Sequence, residues 1–226
     1  MIDYVVVSDF AADWIAEKAP LFRNKLLRLG YPKMDDIYIR ACTGKRTFLM
    51  NGKKLNGNKG FLIIGASNEP DYISKIEDSV IIYRPHPFRR DNEERAGVLE
   101  KYRRMDNVIV DDTSMYFAAF QVSDALICPL LCSVAVNYMF TEKPVLLLEG
   151  NRFDNRSQHV PTYETEPWYK ASYIAKAEQE IMDFVRMVKA GGDTDEKKMS
   201  NRRYMQRGLD GNVSKRIVQY FEDKVT

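Results

Sequence analysis

Apolar positions along this chain fall into two rhythms. Short unbroken runs at residues 4–7, 61–64, 80–83, 108–110, 125–128 and 145–148 carry no polar interruption. Runs of that length read as strands buried on both faces, the pattern of a parallel sheet. Between and around them lie longer segments whose apolar residues suit one face of a helix. These are 9 to about 28, 71–77, 91–104, 114–122, 134–140, 174–190 and 213–224. Ser8 and Asp9 are candidate caps for the first helix, and Gly30-Tyr31-Pro32 breaks it. The role of residues 37–40 stays open. Residues 44–59, rich in Gly, Asn and Lys, predict a hairpin or mobile loop, and residues 150–167 a polar loop.

Alternation at this spacing predicts an α/β fold: a doubly wound, parallel, Rossmann-like sheet in three layers, with five strands between residues 60 and 150. The first 35 residues hold one strand and one helix and fit that sheet poorly. They read as the remnant of a preceding domain, with residues 36–226 forming the Rossmann-like domain.

Chemistry concentrates where the third apolar run stops, at Arg84-Pro85-His86-Pro87. Ligands of open α/β sheets bind outside the carboxyl ends of the strands. A guanidinium fork suits phosphate, and an imidazole donates a hydrogen bond or moves a proton near neutral pH. A plain turn whose His satisfies backbone groups is the competing reading. The two prolines that fix the direction of His86, together with Arg84, favour a phosphate site.

Composition changes this picture little. Of 226 residues, 45% are hydrophobic and 29% charged, as in ordinary soluble domains, and a net charge of +2 makes no case for nucleic acid. Cys42, Cys128 and Cys132 are odd in number and lack histidines at zinc-ligand spacing, so they read as core thiols of a reduced, intracellular protein. No apolar run reaches the ~18 residues of a membrane span. Lys45 and Arg46 lack the rest of a phosphate-loop pattern and read as solvated, as does His159, while Arg89 and Arg90 read as a helix-entry charge pair with the capacity to add positive potential near His86. Trp168 and Tyr169 read as a packing anchor. The basic residues Lys197, Lys198, Arg202, Arg203 and Arg207 read as a solvated face, with the capacity to attract anionic lipid headgroups or polymer phosphates.

Several segments in register resemble the CDP-glycerol glycerophosphotransferase family, GT-B enzymes that build teichoic-acid-like polymers. Gly30-Tyr31-Pro32-Lys33-Met34-Asp35 is similar to that family's Gly-Tyr-Pro-Arg-x-Asp interdomain crossing. Arg84-Pro85-His86-Pro87 is similar to its Arg-x-His-Pro motif. Ser133 to Tyr138, followed by Glu142-Lys143-Pro144-Val145, resembles its Asp-Tyr-Ser-Ser helix and Lys-Pro-Ile strand, and Asp210 to Ile217 its closing Asp-Gly-x-x-Ser-x-Arg-Ile. The sequence departs from the family where Leu130-Leu131-Cys132 replaces Asp-Tyr-Ser, and where Asn137 replaces an acidic residue.

The resemblance implies the C-terminal, nucleotide-binding half of a GT-B transferase. Its donor would be CDP-glycerol or a nucleotide sugar, and its acceptor a polysaccharide or polyol-phosphate polymer of a bacterial surface. His86 would be catalytic, protonating or hydrogen-bonding the leaving group. Arg84, His86 and Ser67 would meet donor phosphates, Ser133 and its helix N-terminus the pyrophosphate, and Asn137 the ribose. By themselves Ser133 reads equally as a helix cap and Ser67 as a turn residue, while Asn137 reads rather as a solvated helix position. No metal or cofactor is expected, and the location is cytoplasmic, with room for peripheral contact at the inner membrane face. A non-catalytic nucleotide-binding or scaffold module and an epimerase-like nucleotide-sugar enzyme are the alternatives.

Overall fold

The computed structural model describes residues 4–43, 49–50, 53–54, 59–65, 72–85, 93–114, 116–130, 132–149 and 166–225. The chain opens with β1 (Val5–Val6) and α1 (Asp9–Lys18), the latter capped by Ser8, whose Oγ accepts the Ala11 amide at 3.3 Å. This helix is shorter than its apolar spacing predicts. It stops at Ala19 because Pro20 follows, and a residue before proline is driven out of helical geometry. A 3-10 turn (Pro20–Lys25) leads to β2 (Leu26–Leu27), which pairs in parallel with β1. Helix α2 (Pro32–Thr43) starts on a proline and contains residues 37–40. Within the Gly- and Lys-rich segment, strands β3 (Leu49–Met50) and β4 (Lys53–Lys54) pair antiparallel.

The alternating part follows as β5 (Gly60–Ile64), β6 (Val80–Arg84), α3 (Glu93–Arg104), β7 (Val108–Val110), α4 (Phe117–Val122), β8 (Ala125–Pro129), α5 (Ser133–Met139) and β9 (Val145–Leu148). It continues through α6 (Pro167–Lys170), β10 (Tyr173–Ala175), α7 (Glu178–Lys189), α8 (Glu196–Met205) and α9 (Val213–Val225). The expected helix at 71–77 is a single 3-10 turn, Ile73–Lys75. Six strands, one more than expected, form a sheet in the order β10-β9-β8-β5-β6-β7, every pair parallel.

Strand alternation sorts the side chains into two cores. Leu62, Ile64, Ile82, Leu126 and Leu147 face α2, α4, α5 and α8 through Met34, Ile37, Phe120, Tyr138 and Met205. Phe61, Ile63, Ile81, Tyr83 and Ile127 face the other way, against Ile73 and Ile76, Tyr102 of α3, and Ile181, Phe184, Val185 and Val188 of α7. The molecule is therefore a three-layer, doubly wound α/β fold. Among the described residues no helix is long and apolar enough to cross a membrane.

The two ends of the chain clasp each other. Buried Asp35 accepts the amides of Asp210 and Gly211 on Oδ1, at 2.8 and 2.7 Å, and of Val213 on Oδ2 at 3.0 Å. A carboxylate in α2 thus caps the start of α9. Arg216 donates to both Asp210 oxygens at 2.6 Å and to the Leu29 carbonyl at 3.4 Å. Gly30 sits at φ +97°, and a Cβ there would lie 2.6 Å from Val213 Cγ2, so α9 lies against the bare backbone of the Gly-Tyr-Pro turn. A second junction ties α1 to α8, where Tyr204 donates to Asp13 Oδ2 at 2.5 Å while Arg28 donates to Oδ1 at 2.6 Å.

Candidate functional site at the carboxyl edge of the sheet

Because all six strands run the same way, their carboxyl ends share one edge. Winding runs outward from β5 through β6 to β7 on one side, and from β8 through β9 to β10 on the other. The direction of winding switches between β5 and β8, and a doubly wound sheet opens a ligand crevice at such a point. The segments leaving these two strands are those in which the sequence places Ser67 and Ser133, and β6, next to β5, ends at Arg84.

Arg84 is 6% exposed and held by several partners. Its Nη1 donates to Asp111 Oδ2 at 2.6 Å and to Thr113 Oγ1 at 3.4 Å, and its Nη2 to the Thr113 carbonyl at 2.6 Å. Asp111 Oδ1 accepts the Thr113 hydroxyl at 2.7 Å and amide at 3.1 Å. The guanidinium fork that sequence reasoning offers to a phosphate thus holds the end of β6 to the segment after β7. Buried and matched by Asp111, this ion pair adds little net charge to the edge.

Ser133 is exposed at the first turn of α5, and Cys132 is the residue capping that helix. The Cys132 thiol is held below its ordinary value by the Cys128 thiol, against the effect of its own burial, with help from the Val134 and Ala135 amides. The fully buried Cys128 is pushed up by desolvation. Asn137 is half-buried rather than solvated, and its Nδ2 donates to the Tyr116 hydroxyl at 3.0 Å. Tyr116 also stands 5.9 Å from the Arg84 guanidinium and 5.9 Å from the Lys33 ammonium, measured to its ring centroid. One ring therefore gathers side chains from α2, β6 and α5.

Of the expected site residues, the structure brings Arg84, Ser133 and Asn137 to this one edge. His86 and Ser67 lie outside the described residues, as do Arg89, Arg90, Lys45, Arg46 and His159. Three of the segments that carried the resemblance are architectural. Two form the clasp between Asp35 and α9. In the third, Lys143 Nζ donates to the carbonyls of Phe120, Gln121 and Ser123 at 2.7, 2.9 and 2.6 Å and so caps the end of α4. The basic stretch after residue 196 is a helix, not only a solvated face. Arg202 in it is 1% exposed, paired with Asp193, and donates to the Ala171 carbonyl at 2.8 Å. Trp168 packs against the core as an anchor should.

Sequence reasoning missed Asp111, Thr113, Tyr116 and Glu149 at this edge. Glu149 follows β9 directly, is 4% exposed, and accepts the Tyr169 hydroxyl at 3.1 Å. The signal was present: Asp111 and Glu149 are the first residues after apolar runs, at the carboxyl ends where such sheets bind ligands.

Residues 72–223 match the profile of the CDP-glycerol:poly(glycerophosphate) glycerophosphotransferase family. No curated protein sequence matches the chain. Among solved structures, the chain is similar to the wall teichoic acid polymerase TagF in a variant soaked with CDPG, at TM-score 0.67 and 15% identity, covering 99% of this chain and 58% of that one. TagF without a substitution gives TM-score 0.61 at 17% identity, with 99% and 58% covered. The UDP-GlcNAc 2-epimerase of Methanocaldococcus jannaschii gives 0.59 at 13% identity, with 96% and 62% covered. At these identities the likeness is one of fold, and the chain spans less than two thirds of the length of any of the three.

Proposed function

The chain belongs to the CDP-glycerol:poly(glycerophosphate) glycerophosphotransferase family, and we propose that it supplies the donor-binding half of a transferase. The transferred unit is a glycerophosphate, polyol phosphate or sugar. It passes from a nucleotide-activated donor, CDP-glycerol or a nucleotide sugar, to a growing surface polymer of the teichoic-acid type. The observation that carries this reading is the winding switch between β5 and β8, at which α5 presents the exposed Ser133. In this reading the donor's pyrophosphate lies against Ser133 and the segment holding Ser67, and its ribose reaches Asn137. His86, two residues beyond Arg84, protonates or hydrogen-bonds the leaving phosphate. Arg84 acts through position: tied to Asp111 and Thr113, it fixes the strand end from which the His86 segment departs. Residues 1–35, whose β1 and β2 pair with each other apart from the six-stranded sheet, belong in this reading to the preceding GT-B domain and the crossing from it.

Calorimetric titration with CDP, UDP and GDP tests the reading. Binding of one of them, weakened about ten- to a hundredfold by His86→Ala with the melting temperature unchanged, is expected from the loss of one charge-assisted hydrogen bond. No binding of any at millimolar concentration overturns it. A second reading, a nucleotide-binding module without turnover, draws support from Cys132 standing where the family has a serine. Donor binding without transfer to a polymer acceptor, in a chain joined to a complete preceding domain, would select it.

A further inference from the structure

We propose that Lys33 and Tyr116 form a diphosphate-recognition element, in which the Lys33 ammonium holds an anionic ligand at the carboxyl edge and the Tyr116 ring positions it. This rests on the same edge as the donor reading and names a cation for it. The argument starts from charge. A diphosphate brought to this edge needs cations, and the described guanidinium at the end of β6, Arg84, is buried and matched by Asp111. Lys33 differs on both counts. It is exposed in the first turn of α2, and no carboxylate among the described residues lies within ion-pairing distance of its ammonium.

Its placement is set by two independent constraints. The start of α2 is fixed by the Asp35 clasp two residues further on, which ties it to α9. The side chain then reaches the Tyr116 ring, 5.9 Å from the centroid, within cation–π range. Tyr116 is itself located from both sides. Its ring stacks on Phe120 of α4 at 4.7 Å, and its hydroxyl accepts from Asn137 in α5, one turn beyond Ser133. The same ring has Arg84 at 5.9 Å. An electron-rich face that steadies a mobile ammonium beside the helix expected to hold the pyrophosphate gives the lysine a direction it would lack in solvent. Tyr116 is thus a positioning residue and Lys33 the ligand-binding one.

Calorimetry with CDP, cytidine and inorganic pyrophosphate on wild type, Lys33→Met, Lys33→Arg, Tyr116→Phe and Tyr116→Leu tests this. Lys33→Met is expected to weaken CDP and pyrophosphate about tenfold, the loss of one charged contact. Cytidine binding and melting temperature should stay unchanged, and Lys33→Arg should restore most of the affinity. Tyr116→Phe keeps the ring and should lose less than Tyr116→Leu. CDP and pyrophosphate bound equally by wild type and Lys33→Met would overturn the inference and leave the donor reading standing. Pyrophosphate binding that depends on Lys33 without any nucleotide binding would overturn the donor reading and keep the inference. If wild type binds neither, both fall.

Discussion

Asp35 offers the sharpest test of how this chain is held together. Its buried carboxylate receives three backbone amides, two on Oδ1 and one on Oδ2, from the turn that opens α9. In Asp35→Asn one oxygen remains for Asp210 and Gly211, while an NH2 group faces the Val213 amide, donor against donor. One charge-assisted bond is lost, worth about 1.5–3 kcal/mol, and the other two fall from charged to neutral strength. Loss of the cap at the positive end of α9 acts in the same direction. The sum is about 3 kcal/mol, which for a chain of this size lowers the melting temperature by about 6–12 °C. Thermal unfolding followed by circular dichroism reads this. Hydrogen exchange adds a local readout: the amides of Gly211 and Val213 should exchange faster in the variant while those of β5 and β8 do not. A shift below about 2 °C with unchanged exchange at both amides would show that the clasp does not hold α9, and the reasoning would be wrong.

Two further outcomes follow from titrating groups. The Tyr204 hydroxyl, buried in part and donating to Asp13, is pushed up to about 12. A proton held more tightly in the native state contributes stability that is present below the ordinary tyrosine value of about 10 and is lost as the pH climbs towards 12. Melting temperature recorded from pH 9 to 12 should therefore fall more steeply for wild type than for Tyr204→Phe, and parallel curves would refute the linkage. The Cys132 thiol, held below its ordinary value, should be alkylated by iodoacetamide well before the buried Cys128, whose thiol is pushed up. Mass spectrometry of peptides from the folded protein reads the order, and modification of Cys128 first would contradict it.

The parts of the fold legible in the sequence were those decided by burial on both faces. Phe61 to Ile64, Ile81 to Tyr83, Leu126 to Cys128 and Val145 to Leu148 are almost wholly excluded from water, so an unbroken apolar run was the only pattern available to them. Strand β10 escaped because Tyr173-Ile174-Ala175 is three residues long at the sheet's edge, half-exposed at two positions, and runs into Ala-Lys-Ala-Glu, which has helical character. The apolar spacing of α1 overstates its length because that spacing continues past Pro20 into residues that serve a 3-10 turn and β2.

The site was legible to a different degree, for a physical reason that concerns the motifs themselves. A motif marks residues that must keep company, not residues that must touch a ligand. Gly30, Asp35, Gly211 and Arg216 keep company because a carboxylate, a bare backbone and a guanidinium bind opposite ends of the chain. Lys143 does so because three helix-end carbonyls need a donor. Arg84, the most arresting residue of the sequence, turns out to be matched by Asp111, whose significance only the sheet order reveals, since β6 and β7 must be neighbours for the pair to form. What remains after these structural roles are assigned is smaller and more specific. It comprises exposed Ser133 at a helix start, Asn137 one turn on, and Lys33 across a shared tyrosine ring, all gathered beside the point where the winding reverses. That remainder is where chemistry at this edge should be sought. In the donor reading the Asp35 clasp bears on function as well: α2 carries Lys33, so loosening α9 from Asp35 should loosen the exposed ammonium that stands 5.9 Å from the Tyr116 ring centroid.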